Sequence, residues 1–486
     1  MRTAFVLGGT GFVGRAISRV LRDAGWSVTV GRRTSEPLPE DIEGSVGDVV
    51  ALDRNDDDEL AAGLGEGVDV LVDTIPYRAR DGSQLVAMKD RVGSLIAIST
   101  VSVYSDDDQR SLDEAGSAEE FPDFPVPILE TQVTVTPGDQ TYSTRKAVIE
   151  EALLQQDDLP ATVIRPGAIY GPHDTQCREW FFVKRILDRR PVVILGYGGR
   201  TVFHPTSVAN LAELVRLAAE KPGTRVLNCG DPSPPDALGI ERCIAAAMGH
   251  EWTEVLVPPR LALTSVGRTP WSGPKSVVLD MNAAREELGY RPITSYPEAV
   301  GEVCDWVTAA TQDLDWRAVL PRAAEYLGTR FATTPKIDCW RLSAGFEALK
   351  GDESCVRGHE PAGVKVEGPQ VVVEVDVQPL ASGGTSLGHG NGNQFSADSV
   401  SSNVRADHGV EHEGMDAAVP RHVDETDELD AFASANPPET VVPNLGPPVV
   451  FQGFMVEALG MQCIYGRVLE VTAPFVRVGH QANVTQ

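Results

Sequence analysis

The sequence predicts an α/β protein built on a doubly wound, parallel, Rossmann-type sheet with a smaller substrate-binding subdomain and a C-terminal extension. Three observations carry this. Thr3 to Leu7 is a short apolar strand that runs at once into Gly8-Gly9-Thr10-Gly11-Phe12-Val13-Gly14 and then an amphipathic helix. Short apolar runs alternate with helical patterns over the first 100 residues, the signature of βαβ crossovers. A tyrosine and a lysine, Tyr142 and Lys146, stand one helical turn apart downstream.

The glycine turn comes first because it names a ligand. A strand, a Gly-rich turn and a helix N-terminus together lay backbone N–H groups against a pyrophosphate. Gly8, Thr10, Gly11, Phe12, Val13 and Gly14 are therefore candidate cofactor-binding residues. Further strands are expected at Ser27–Val30, Val49–Leu52, Val68–Val72 and Ser94–Ser99. Helices are expected over Phe12–Ala24, Asp57–Gly63 and Gln84–Asp90.

The end of the second strand bears on cofactor choice. An acidic residue there would hold the ribose 2′-hydroxyl of NAD, but the chain has Gly31-Arg32-Arg33. Two guanidinium groups suit a 2′-phosphate, so NADP(H) is preferred over NAD(H). Asp53 follows the next strand and has two readings of equal weight: a carboxylate for the adenine amino group, or a cap for the helix starting near Asp57.

Leu95 to Ile98 is an apolar strand that turns polar at Ser99, Thr100 and Ser102, on the sheet edge where ligands bind in such folds. The acidic, Pro-rich stretch from Ser105 to Asp139 reads as a loop over that crevice. Tyr142 and Lys146 then share one helix face. A phenol is a poor base at neutral pH, and a nearby ammonium favours its ionised form. The pair suits proton transfer at a substrate oxygen during hydride transfer. Beyond it, helices are expected over Arg178–Asp188, Asn210–Glu220, Asp236–Met248, Asn282–Leu288 and Ser295–Thr311. Strands are expected at Ala161–Ile164, Val192–Leu195, Arg225–Cys229 and Val277–Asp280, with Arg165 to Pro172 as a rigid turn.

Composition bounds the rest. The chain has 486 residues, 42% of them hydrophobic, and a net charge of −28, which argues against nucleic acid and anionic membrane as partners. Its seven cysteines form no CxxC pair; no disulfide framework or metal site is expected, and a reducing cytoplasm fits. No run of apolar residues is long enough to cross a membrane.

The motif set resembles the extended short-chain dehydrogenase/reductase family, also called the NAD-dependent epimerase/dehydratase family, over residues 1–325. It comprises Gly8, Gly11 and Gly14; Ser99-Thr100 ahead of Tyr104; Tyr142 and Lys146; Arg165-Pro166-Gly167-Ala168-Ile169-Tyr170-Gly171-Pro172; and Glu287-Leu288-Gly289-Tyr290-Arg291-Pro292. The resemblance implies a cofactor core over about 1–165 and a substrate part mostly over 166–325. It implies that Tyr142 is the acid/base, that Lys146 also holds the nicotinamide ribose, and that Thr100 polarises the substrate oxygen. It places Arg165 at the cofactor, and Ser102 and Pro166 at the substrate. Arg200 and His204 keep the four-residue spacing of a diphosphate-binding pair, which favours a nucleotide-linked substrate. Val101 and Ser102 stand where sugar-nucleotide dehydratases carry an Asp-Glu pair, which disfavours dehydration. A homodimer through the Tyr142–Leu154 helix is implied as well.

The expected activity is an NAD(P)-dependent oxidoreductase acting on a small polar substrate. A nucleotide-sugar epimerase with tightly bound NAD, and a non-catalytic cofactor-binding or scaffolding protein, are the alternatives. Residues 326–380 read as a linker or small appended element with one or two strands around Gly368. Residues 381–448 have the acidic, Gly-rich composition of disordered chain, and 449–486 form a short apolar segment. His408 and His412 lie four apart but make no convincing metal site beside Gly409.

Overall fold

The computed structural model describes residues 1–33, 46–113, 115, 117–259 and 267–332, together with three short strands nearer the C-terminus. The cofactor half runs β1 (Thr3–Leu7), α1 (Phe12–Asp23), β2 (Ser27–Arg32), β3 (Asp48–Ala51), α2 (Asp57–Leu64), β4 (Val70–Asp73), α3 (Ala79–Ala87), β5 (Leu95–Ile98), α4 (Tyr142–Leu154) and β6 (Ala161–Pro166). There follow β7 (Ala168–Tyr170), α5 (Trp180–Leu187), β8 (Val192–Leu195), β9 (Pro205–Ser207), α6 (Val208–Glu220), β10 (Arg225–Cys229), α7 (Ala237–Ala247) and β11 (Thr253–Leu256). The last elements of the main body are α8 (Asn282–Leu288), α9 (Tyr296–Thr311), α10 (Trp316–Val319) and α11 (Pro321–Ala332).

Seven strands form a parallel sheet in the order β10-β6-β5-β4-β1-β2-β3. The order reverses beside β1, so the switch point lies at β1 and β4, and the crevice there is the expected ligand site. Apolar runs in β1, β5 and β6 are buried throughout because helices cover both faces. Alternation along β1 divides the packing. Ala4 and Val6 face a core with Ile17, Leu21, Leu211 and Val215, whereas Phe5 and Leu7 face Leu60, Leu85 and Ile149. A separate core around Trp180, Phe182, Ile240, Trp271 and Tyr296 holds the substrate part together and extends to Leu320 and Leu327.

Several expectations shift. The helix expected over Gln84–Asp90 begins earlier, as α3, because Asp81 accepts from the N–H groups of Tyr77 and Arg78 and fixes its start. Val277–Asp280 forms only isolated bridges, to Phe203 and Ile128. The turn after Arg165 contains β7, which pairs with β9. None of the described residues of 105–139 lines the crevice. Phe124 and Ile128 of that segment pack instead against Val101, Tyr104, Val277 and Leu279.

In the C-terminal third, β12 (Lys365–Glu367) and β13 (Gln370–Val372) pair antiparallel. With β14 (Gln481–Ala482), they join β11 and β8 in a second sheet. The remaining expectations for 333–486, including the His408/His412 pair, lie outside the described residues. No helix among the described residues is long and apolar enough to cross a membrane.

Candidate active site

A cleft of roughly 360 Å³ opens at the carboxyl ends of β1, β4, β5 and β6. Each strand delivers residues to it because parallel strands all end on the same edge. Gly8, Gly11, Phe12 and Val13 form one wall. Gly8 has φ of +74°, a conformation open to glycine at little cost. A Cβ at Gly14 would lie 2.2 Å from the Gly8 carbonyl oxygen, so only glycine lets α1 start this close to β1. Gly11 caps α1 without a side-chain hydrogen bond, which leaves the first N–H groups of the helix for a ligand. This bare cradle fits a dinucleotide pyrophosphate. Thr10 and Gly14 support the turn without lining the cleft.

The opposite wall carries Thr100, Ser102, Tyr142, Lys146 and Pro166. Tyr142 is the first residue of α4, held there by two fixings. Thr141 caps the helix through a reciprocal capping box with Thr144, and the Asp113 carboxylate accepts from the Ser143 N–H at 2.7 Å. The Tyr142 ring lies 5.8 Å from that of Tyr77 and 5.7 Å from the Lys146 Nζ. Thr100 donates to the Ser102 hydroxyl at 3.1 Å and accepts from the Ser102 N–H.

Burial governs the proton affinities. It pushes the Tyr142 phenol up to about 12, against the opposing pull of the Thr100 hydroxyl. It pushes the Lys146 ammonium down to about 8, while Asp73 and Glu150 work to keep the charge. Lys146 donates to the Ile98 carbonyl at 3.0 Å. Asp73 is wholly buried and paired with Arg54 at 2.9 Å. Tyr142 thus rests as a neutral phenol, the form that gives a proton; drawing a proton from an alcohol calls for further positive charge beside it.

Other anticipated residues take other places. Arg165 is paired with Glu150 at 2.5 Å, stacks over Tyr104 and does not line the cleft. The Asp53 carboxylate accepts from the Asn55 N–H, while Asp56 caps α2. His204 is buried between the Leu279 N–H and the Asp231 carbonyl, and burial lowers its imidazole to about 4. Arg200 is exposed, 3.7 Å from Asp236. Neither Arg200 nor His204 lines the cleft, but Phe203 does. Sequence reasoning passed over Thr74, Tyr77, Asp174, Gln176, Arg178 and Arg322, which line it too. No local motif marks them; they arrive through tertiary packing.

The model of the NAD dependent epimerase/dehydratase family matches residues 4–230. This part of the chain belongs to that family. Two curated relatives are similar to it. The chloroplast stem-loop binding protein of 41 kDa b from Arabidopsis thaliana is 27% identical over 266 residues, 52% of this chain and 64% of that protein. The ceramide reductase of Caulobacter vibrioides is 26% identical over 259 residues, 52% of this chain and 67% of that protein. The chain therefore spans less than two thirds of the first relative's length.

Among solved structures, UDP-glucuronic acid 4-epimerase from Bacillus cereus, in complex with NAD, is similar at 18% identity and a TM-score of 0.48. That match covers 65% of this chain and 99% of the epimerase. The dTDP-glucose 4,6-dehydratase from Bacillus anthracis str. Ames, in complex with NAD, matches at 15% identity and a TM-score of 0.49, covering 66% and 100%. Both hold NAD. The preference for NADP(H) read from Arg32 and Arg33 is corrected on that ground. The physical reason lies in the two arginines. Each already takes part in an interaction within the chain, so two charges in the sequence do not by themselves make a 2′-phosphate receptor. The matched part of the chain has the parallel, Rossmann-type core described above.

Proposed function

We propose that this family member exchanges hydride at a secondary carbinol or carbonyl carbon of a small, nucleotide-linked substrate, in the manner of an epimerase that retains NAD. One observation carries the reading: Thr100, Tyr142 and Lys146 meet the glycine cradle in a single cleft. When bound, NAD supplies a hydride acceptor at nicotinamide C4 and a positive charge on the ring. The chain's own residues do the rest. Tyr142 takes the hydroxyl proton as the hydride leaves carbon and returns it on reduction. Lys146 holds a positive charge within the same wall, and Thr100 orients the substrate oxygen. The neutral phenol at rest suits the reductive half; the oxidative half draws on the added charge of oxidised cofactor.

A reductase that exchanges its cofactor is the second reading, favoured by the likeness to a ceramide reductase. The net charge of −28 disfavours a nucleic-acid ligand such as the one named for the stem-loop binding relative.

The test is to release and quantify cofactor from the purified protein, then compare Tyr142→Phe with the parent. NAD carried through purification at near-equal molar ratio supports the epimerase reading. Weak, freely exchanging NADH supports the reductase. Tyr142→Phe is expected to lower turnover at least about a hundredfold with NAD binding unchanged. Unaltered turnover would rule out the assignment of Tyr142.

A further inference from the structure

The Lys146 ammonium has buried charges on two sides. On its own helix, Glu150 follows one turn later, and that carboxylate is matched by Arg165 at 2.5 Å. On the other side stand Asp73 at the end of β4, Asp81 in the first turn of α3, and Arg54 between β3 and α2. Arg54 lies 2.9 Å from Asp73 and 3.7 Å from Asp81, so one guanidinium bridges two carboxylates. All six of these side chains are buried. Arg78 also approaches Asp81, at 3.9 Å, but is about one third exposed, where water screens its charge. The buried trio of Arg54, Asp73 and Asp81 thus carries one negative charge in excess, and Lys146 is the buried cation that offsets it.

Strand register brings the two charges together. Asp73 pairs with Ala97 of β5, and Lys146 donates to the carbonyl of the next residue, Ile98. Adjacent strands lie about 4.8 Å apart. Asp73 Oδ1 accepts from the Ile75 N–H at 2.9 Å and from Arg54 at 3.1 Å. These donors hold the carboxylate ionised against the pull of burial, and Lys146 works in the same direction. Oδ2 accepts no hydrogen bond, so this oxygen acts through its field. The remaining groups around Lys146 are Tyr142, one turn back on α4, and the neutral hydroxyls of Ser99 and Thr100 at the end of β5.

We propose that Asp73 is a positioning residue for proton transfer: through its buried charge, shared with Asp81 across Arg54, it keeps Lys146 protonated beside Tyr142. The proposal rests on the reading of the cleft as a hydride-transfer site and adds what regulates its charge. Without that carboxylate, burial alone would strip Lys146 of its proton near neutral pH. A neutral amine gives the Tyr142 phenol no positive field.

The test reads Lys146 directly. Protein carrying 13C at lysine Cε is titrated by NMR, with the Lys146 signal assigned by its loss in Lys146→Met. The parent signal should titrate near 8. In Asp73→Asn the midpoint should fall to about 7 or below, at least a tenfold loss of proton affinity. A carboxylate that served only to hold the fold would leave the midpoint in place. A midpoint that is unchanged or higher in folded Asp73→Asn overturns the proposal. If Asp73→Asn does not unfold cooperatively in urea, Asp81→Asn, which removes the same excess charge, decides by the same criterion. The titration uses protein free of cofactor, so it stands apart from the hydride-transfer reading. Calorimetric NAD affinity over the same pH range tests that reading: it should weaken as Lys146 loses its proton, at lower pH in Asp73→Asn than in the parent. An affinity indifferent to that midpoint would speak against Lys146 at the cofactor and leave its coupling to Asp73 standing.

Discussion

Glu179 is a carboxyl group in the wrong medium. It is wholly buried, next to Asp174 in sequence, with the Tyr296 hydroxyl donating to one of its oxygens at 3.3 Å. Burial raises it from 4.5 to about 7, with Asp174 pushing the same way and Arg178 opposing. In the unfolded chain Glu179 ionises near its ordinary value; in the native protein it stays protonated until near neutrality. The unfolded state therefore binds fewer protons through that window, and stability falls as pH rises from about 4.5 to about 7, then levels off. The full span is worth about 3 kcal/mol. Glu179→Gln should be more stable than the parent at pH 8 and should lose this part of the pH slope. Urea melts at pH 5 and pH 8 decide it; identical slopes in the two proteins would refute the assignment.

At the scale of elements, α4 shows how local sequence places a functional group. Thr141 and Thr144 satisfy each other's ends of the capping box, and Tyr142 follows the cap directly. Thr141→Ala should cost about 1 kcal/mol and loosen the first turn. We expect kcat to fall more than NAD affinity, a split that steady-state kinetics and cofactor titration can read. The same element explains what was legible in the sequence. The strand, glycine turn and helix of the first 23 residues, and the Tyr142/Lys146 pair, are local patterns whose spacing alone defines their geometry. β8, β10 and α8 carry equally strong periodicity and fall where expected. Arg322 is different. It reaches the cleft because a backbone hydrogen bond and three buried side chains of a late helix dock beside residue 175, and no local pattern encodes that encounter. Arg165 makes the converse point. It lies within a recognisable motif, yet its guanidinium is drawn to Glu150 in the core. Arg32 and Arg33 misdirected the cofactor reading because a sequence displays charges without displaying their partners.

The whole molecule carries 70 acidic against 42 basic side chains. Repulsion of that kind acts over the surface and is screened within about 10 Å at 0.1 M salt. Raising sodium chloride from about 10 to 200 mM should therefore raise the melting temperature. A melting temperature indifferent to salt would mean that the acidic groups are spaced too widely to matter.

The tie between Ala323 and Thr175 has a consequence for the order in which the protein comes into being. A chain is made from its N-terminus, so the glycine cradle, Tyr142 and Lys146 leave the ribosome well before Arg322. The nascent strand, glycine turn and helix can meet a dinucleotide while α11 is still unmade. A ligand that binds only the folded form drives folding by mass action. On this view a dinucleotide bound during synthesis would act as a template around which the substrate part later closes, with α11, the last helix among the described residues, docking onto a core already formed.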